Sequence, residues 1–111
     1  MVEEILTAAG LEHRQGRFIK PPAETYAVYF DDVDVDGPDP LLSGTTTLAR
    51  ICRHDVRIEL YEPKPDPNAE AALEAQLDAR GVPWTKEDRY WLDDAQRYQV
   101  LFEFTYTTKR R

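Results

Sequence analysis

Residues 56–94, VRIELYEPKPDPNAEAALEAQLDARGVPWTKEDRYWLDD, decide the fold that this sequence predicts. At their start, Val56, Ile58 and Leu60 alternate with polar residues, which is the two-residue period of a half-buried strand. Three prolines between positions 63 and 67 follow at once. Because proline has no N–H to donate to a strand ladder, they predict the end of this strand.

The next segment has the pattern of one amphipathic helix. Its apolar residues recur at three- and four-residue steps and predict a helix over residues 68–80. Asn68 can cap the N-terminus of this helix, and Gly81 followed by Pro83 predicts its end. Residues 84–91 are then expected to be extended. The stretch therefore predicts a strand, a helix and a second strand, and it contains no catalytic signature.

The rest of the sequence predicts one more helix and several further strands. In chain order, we expect a helix over 2–10, a strand over 26–30, a loop over 31–43 and a strand over 98–106. Residues 45–60 are expected to form either one long strand, bent at 53–55, or two strands. In the last strand, the even-numbered residues from Val100 to Phe104 share the face that we expect to pack against the second helix.

These elements add up to an α+β fold. It would be a mostly antiparallel sheet of four to five strands with two helices packed on one face. A chain of 111 residues is long enough for one compact domain with one core, so we assign residues 1–111 to a single domain.

Composition and charge argue against several classes of function. The net charge of −7 disfavours a protein that binds DNA through its phosphates, so we expect no specific nucleic-acid binding. No apolar run approaches the ~20 residues that cross a bilayer, and the acidic N-terminal segment does not resemble a secretory signal, so we expect no membrane contact. The single cysteine, Cys52, excludes an internal disulfide and fits a reducing cytoplasm.

An acidic run gives the one metal-like motif of the sequence. Asp32, Asp34, Asp36 and Gly37 match the opening of a calcium-binding EF-hand loop. The motif then fails, because its twelfth position is Ser43, where a bidentate Glu is needed, and a strand rather than a helix precedes it. We therefore expect a solvated acidic loop and no metal site, with weak calcium binding as the open alternative.

Cys52 and His54 invite a nucleophile–base interpretation that their spacing does not support. On one strand face their Cβ atoms would lie ~7 Å apart, which is too far for direct proton transfer. A Cys-x-His pair also supplies too few ligands for zinc. With no phosphate-binding glycine loop either, we expect no catalytic residue, no cofactor and no enzymatic activity.

Aromatic residues crowd the last third of the chain. Trp84, Tyr90 and Trp91 fall within eight residues, and the strand over 98–106 adds more. Most are expected in the core, but the surplus favours a protein partner, since Tyr and Trp are enriched at interfaces.

Three segments resemble the small tail-completion, or tail-terminator-like, proteins of long-tailed phages and prophages. They are RIELYEPKPD at 57–66, AEAALEAQLDARGVPW at 69–84 and KEDRYWLDDAQRYQVLFEF at 86–104. In that family a strand ending in a Tyr leads through a turn into a single helix, and a later strand returns to the sheet. The resemblance covers residues 56–107 and extends more loosely over 1–35.

The resemblance implies a structural component of the particle, at the head–tail junction or the tail end. Such a protein would be found in the virion, and in the host cytoplasm during assembly. It would form a ring, expected to be a homohexamer, stacked on neighbouring tail or connector proteins while DNA passes through. We expect the interface to use an acidic group, a basic group and the outward face of the last strand: Asp32, Asp34 and Asp36; Lys109 and Arg110; and Glu103.

A second function remains open at this point. A small acidic protein with surplus aromatic residues could instead neutralise a basic partner, as the immunity protein of a nuclease toxin does.

Overall fold

The computed structural model describes the backbone of residues 1–38 and 50–110 and the side chains of residues 1–34 and 51–108. This part of the chain forms two helices and six strands. In chain order they are α1 Val2–Ala8, β1 Glu12–Gln15, β2 Tyr26–Pro38, β3 Arg50–Glu62, α2 Pro67–Ala79, β4 Trp84–Lys86, β5 Tyr90–Leu92 and β6 Arg97–Arg110.

The six strands form one mixed sheet. Its order is β1-β2-β3-β6-β4, and β5 pairs with the beginning of β6. The β1–β2 pair is parallel and the other pairs are antiparallel. The predicted α+β class, with a mostly antiparallel sheet and two helices, is confirmed. The strands number six rather than four or five, because residues 84–92 supply two short strands and the polar segment EHRQ supplies β1.

Both helices contribute to one core on one side of the sheet. Phe102, Val100 and Ile58 are fully buried, as are Leu73 and Leu77 of α2. The remaining core residues come from α1, from the turn after it and from the same faces of β2, β3 and β6: Val2, Ile5, Leu6, Leu11, Ala27, Tyr29, Val56, Leu60 and Phe104. The predicted face of the last strand is therefore confirmed as the buried one.

The second helix begins one residue earlier than its pattern predicted. Asp66, not Asn68, is its N-cap, and the Asp66 carboxylate accepts a hydrogen bond from the Ala69 N–H at 3.2 Å. Pro67 takes the first helical position, where its missing N–H costs nothing. The predicted end is confirmed, since Gly81 has a φ of +69°, a conformation that glycine adopts without strain.

One prediction about the middle of the chain is wrong, and one of two alternatives is excluded. Residues 31–38 are not loop, because β2 continues to Pro38 in pairing with β3. The strand that ends at Glu62 is not divided into two strands at 53–55, where its pairing with β2 and β6 is unbroken. The one irregularity of the β2–β3 ladder lies between Val35 and Pro38. The predicted loop over 39–43 and the predicted strand over 45–49 lie outside the described residues.

Candidate assembly surface

The three central strands extend well beyond the core. Core residues end at Tyr29 on β2, Val56 on β3 and Phe104 on β6. Beyond them lie residues 32–38, 50–55 and 105–110, which we call the arm. At about 3.3 Å per residue the arm is roughly 20 Å long. It accounts for much of the elongation of the molecule, whose longest dimension is 55 Å against 28 and 22 Å for the others.

Both edges of the arm lack a neighbouring strand within the described chain. On one side β1 pairs with β2 only as far as Tyr29, and on the other β4 pairs with β6 only as far as Phe104. The hydrogen bonds at these boundaries show which residues point outward. The carbonyl of Tyr29 accepts from Gly16 at 3.1 Å, and the carbonyl of Leu101 accepts from Glu87 at 2.9 Å. Odd-numbered residues of both strands therefore direct their backbone groups away from β3.

The two faces of the arm carry different side chains. The face opposite the helices is charged: Arg53 contacts Asp34 at 3.4 Å and Asp55 at 3.7 Å. Asp32 stands opposite Asp55 in the β2–β3 ladder, an arrangement of like charges that costs stability. Residues 32–34 form a strand despite their low strand propensity because they pair with β3, where Asp34 lies beside Arg53.

The other face of the arm holds a cross-strand network around His54. Its Nδ1 lies 3.0 Å from an Asp31 carboxylate oxygen, and its Nε2 lies 3.0 Å from the Thr108 hydroxyl. The imidazole also stacks on the Tyr106 ring, with 4.2 Å between centroids. His54 is therefore bonded to Asp31 and Thr108 on the strands to either side of β3, whereas Cys52 is buried nearby as a free thiol. This arrangement ties the three strands of the arm together.

Two aromatic residues of the last third of the chain are exposed, whereas Phe102 and Phe104 are buried and Trp84 and Tyr106 pack against the core. Tyr90 and Trp91 are 46% and 44% exposed, at the end of the sheet opposite the arm. Tyr90 donates a hydrogen bond to Gln99, whose amide donates to the Tyr61 hydroxyl at 3.0 Å. These bonds fix the Tyr90 ring at the surface, as is common at protein interfaces.

A buried carboxyl pair near the same end was not found from the sequence. Glu62 is fully buried at the end of β3 and accepts from Arg89 Nε at 3.0 Å. Glu70, in the first turn of α2, contacts both Arg89 and Lys86, the latter at 2.9 Å. Glu62 continues the apolar face of its strand, as its even number shows, and this position was the available signal.

The environment moves the pKa values of these two carboxyls in opposite directions. Burial and the neighbouring Glu70 raise the pKa of Glu62 from 4.5 to about 7, although Arg89 opposes the rise. Burial would also raise the pKa of Glu70, but hydrogen bonds from Glu62, Lys86 and Arg89 outweigh it and lower that pKa to about 2. The second Glu62 oxygen has no donor within reach. A proton on that oxygen can be donated to Glu70, which satisfies both groups.

All but one of the predicted interface residues belong to the arm, divided between its two opposite edges. Asp32 and Asp34 lie on β2 at one edge, and Asp36 belongs to the same strand. Lys109 and Arg110 belong to the end of β6 at the opposite edge. The side chains of Asp36, Lys109 and Arg110 lie outside the described part. Glu103 lies just below the arm, exposed and opposite Arg57.

Comparison with known proteins assigns no family. No protein-family model matches the chain, and no curated protein is significantly similar to it. Neither α1 nor α2 is long and apolar enough to cross a membrane. Among the side chains that the structure describes, those of residues 1–34 and 51–108, no three His, Cys, Asp or Glu are grouped so that they could hold a metal ion. The EF-hand-like residues of the described part instead belong to a continuous strand.

Proposed function

We propose that this protein is a structural component of a phage or prophage particle, placed at the head–tail junction or the end of the tail. It assembles as a ring, expected to be a homohexamer, and performs no catalysis. The resemblance over residues 56–107 supports this function. So does the element order, since a strand ending beside Tyr61 leads through a turn into one helix, and β6 then returns to the sheet.

The arm is the observation that carries the proposal. It adds little to the hydrophobic core beyond the buried Cys52 and a Tyr106 ring that packs against the core, yet ordering each of its residues costs about 1–2 kcal/mol of backbone entropy. It also presents two strand edges, which isolated proteins usually shorten or cover. Assembly gives these features a use, because a neighbouring subunit would cover them.

The charge distribution supports a closed ring around DNA. A ring requires two different surfaces that complement each other, so that each subunit contacts one neighbour on either side. The acidic β2 and the basic end of β6 are such a pair. The net charge of −7 would also make the lumen repel phosphates, which lets DNA pass without binding.

The test is the assembly state of the purified chain. We expect light scattering to show a concentration-dependent rise in mass and electron microscopy to show rings. Asp34→Lys, which reverses a charge on the arm, should prevent assembly. The matched control is Glu87→Lys, the same reversal on an exposed turn outside the arm, which should assemble like the wild type. A monomeric mass at every concentration, with no rings, would contradict the proposal.

A second function is supported by the exposed aromatic residues. Tyr90 and Trp91 lie at the end opposite the arm and suit an acidic protein that binds and neutralises a basic partner, as an immunity protein does. Neighbouring genes separate the two functions: capsid, portal and tail genes support the ring, and a toxin gene supports the neutralising protein.

A further inference from the structure

We propose that subunits join by pairing the outer edge of β6 in one copy with the outer edge of β2 in the next. This inference rests on the proposed ring and names the contact that builds it. The sheet of each subunit would continue into its neighbour through the two arms. The occupant of each open edge is therefore a second copy of this chain.

The backbone defines where this pairing occurs. On β2, the outward-facing residues beyond the last bond to β1 are Asp31 and Val33. On β6, those beyond the last bond to β4 are Thr105 and Thr107. The N–H and C=O groups of these four residues have no strand partner in the described chain. Since each is a strong donor or acceptor, the two edges can form a ladder with each other.

Strand direction fits a rotational assembly. Both β2 and β6 are antiparallel to β3, so they run in the same direction as each other. A rotation about an axis roughly along the strands leaves that direction unchanged. The β6 edge of one copy therefore meets the β2 edge of the next as a parallel pair, which forms regular, evenly spaced hydrogen bonds. Such an operation joins unlike surfaces, as a ring requires.

Charge favours the unlike pairing over either like pairing. Two β2 edges would bring Asp31, Asp32 and Asp34 of one copy against the same residues of another, and like charges on facing strands repel. Two β6 edges would likewise combine the basic residues at their ends. Next to the end of β4, the outward-facing residues of β6 are Thr105 and Thr107, which carry no charge and suit strands.

A groove at the junction of β4 and β6 leaves room for the incoming strand. It has a volume of about 420 Å³ and lies where β4 leaves β6, at the first unpaired residue, Thr105. Its walls include Trp84, Pro83 and Phe104, with Glu103 and Asp55 at the polar side. A strand docking along the β6 edge would bury these apolar surfaces at its end.

Proline substitutions test each edge without breaking the subunit. Because the N–H groups of Val33 and Thr107 point away from β3, Val33→Pro and Thr107→Pro remove only outward donors. Val33→Thr and Thr107→Val keep the N–H and are the matched controls. Circular dichroism and urea unfolding establish that each variant is folded. We expect each proline variant alone to stay monomeric in light scattering, while both controls assemble.

A mixture of the two proline variants then tests which edges meet. Val33→Pro retains an intact β6 edge, and Thr107→Pro retains an intact β2 edge. We expect the mixture to form a dimer and nothing larger, since one β6–β2 junction is possible. Dimers of Val33→Pro alone would show β6–β6 pairing and overturn the inference.

The remaining outcomes separate this inference from the ring itself. If both proline variants form rings like the wild type, the edge pairing is wrong and the ring stands. If the wild type forms open filaments that both prolines abolish, the edge pairing stands and the ring is wrong. No assembly of the wild type at any concentration would overturn both.

Discussion

Glu62→Gln should make the protein more stable at alkaline pH and leave it nearly unchanged at pH 4. In the folded protein Glu62 keeps its proton up to about pH 7, whereas an unfolded chain releases it near 4.5. Its contribution to stability is therefore fully present below 4.5 and is lost progressively as the pH rises from 4.5 to 7. The shift corresponds to about 3 kcal/mol at pH values well above 7.

The substitution keeps what the protonated carboxyl does. A glutamine amide is neutral at every pH, and its NH₂ can donate to Glu70 as the Glu62 proton does. The variant therefore lacks the alkaline loss. Glu70 acts in the opposite range: because its folded pKa is lowered to about 2, its stabilisation is present above 4.5 and disappears as the pH falls towards 2. Together the two carboxyls should make the wild type most stable near pH 4.5, where neither contribution has been lost to a large extent.

The assay is urea unfolding at pH 4 and pH 9, followed by the fluorescence of the two tryptophans. We expect the free energies of unfolding of wild type and Glu62→Gln to agree within about 1 kcal/mol at pH 4. At pH 9 the variant should be more stable by roughly 2–3 kcal/mol. Glu87→Gln, on an exposed turn, controls for the loss of one carboxylate. If Glu62→Gln is instead less stable than the wild type at pH 9, Glu62 is ionised there and its pair with Arg89 is stabilising.

Four further substitutions test the core, the outward face and the arm. Phe102→Ala removes a fully buried ring and should cost ~3–5 kcal/mol in urea unfolding, enough to unfold much of the population; a loss under about 1 kcal/mol would mean that the ring is not part of the core. Glu103→Lys places a second cation opposite Arg57, so the monomer should lose under about 1 kcal/mol while light scattering shows no assembly; an unfolded monomer would contradict this. Cys52→Ser and His54→Gln should still form rings, because the backbone pairing of β3 with β2 and β6 holds the arm without these side chains; failure of a folded variant to assemble would give them a functional role.

The parts of the fold that local patterns encode could be predicted. The alternation in β6 has one buried face, so the pattern alone places Val100, Phe102 and Phe104 correctly in the core. The predicted start of α2 is one residue late because two residues, Asp66 and Asn68, can both cap a helix. Pro67 was the missed signal, since proline favours the first helical position.

The arm could not be predicted because its strands depend on partners distant in sequence. Residues 32–38 are rich in Asp, Gly and Pro, which are depleted in strands. The ladder with β3 overrides that preference: Asp34 faces Arg53, whose guanidinium lies 3.4 Å away. Strand β1 was not predicted for a similar reason. Its four residues show no hydrophobic alternation, and backbone hydrogen bonds to β2 hold them in the sheet.

The same pairing changes the physical basis of the proposed assembly. An acidic loop of the predicted kind would have to become ordered as it binds, at a cost of about 1–2 kcal/mol per residue. In the structure these residues are already ordered within the subunit. The ladders of β3 with β2 and β6 continue without a break past His54, and the His54 side chain is hydrogen-bonded to Asp31 and Thr108. Association then has mainly to bring the two edges together, so affinity depends on backbone donors and on the charge difference between the edges. Salt should weaken the second contribution and leave the first, because screening acts on exposed charges far more than on hydrogen bonds within a ladder.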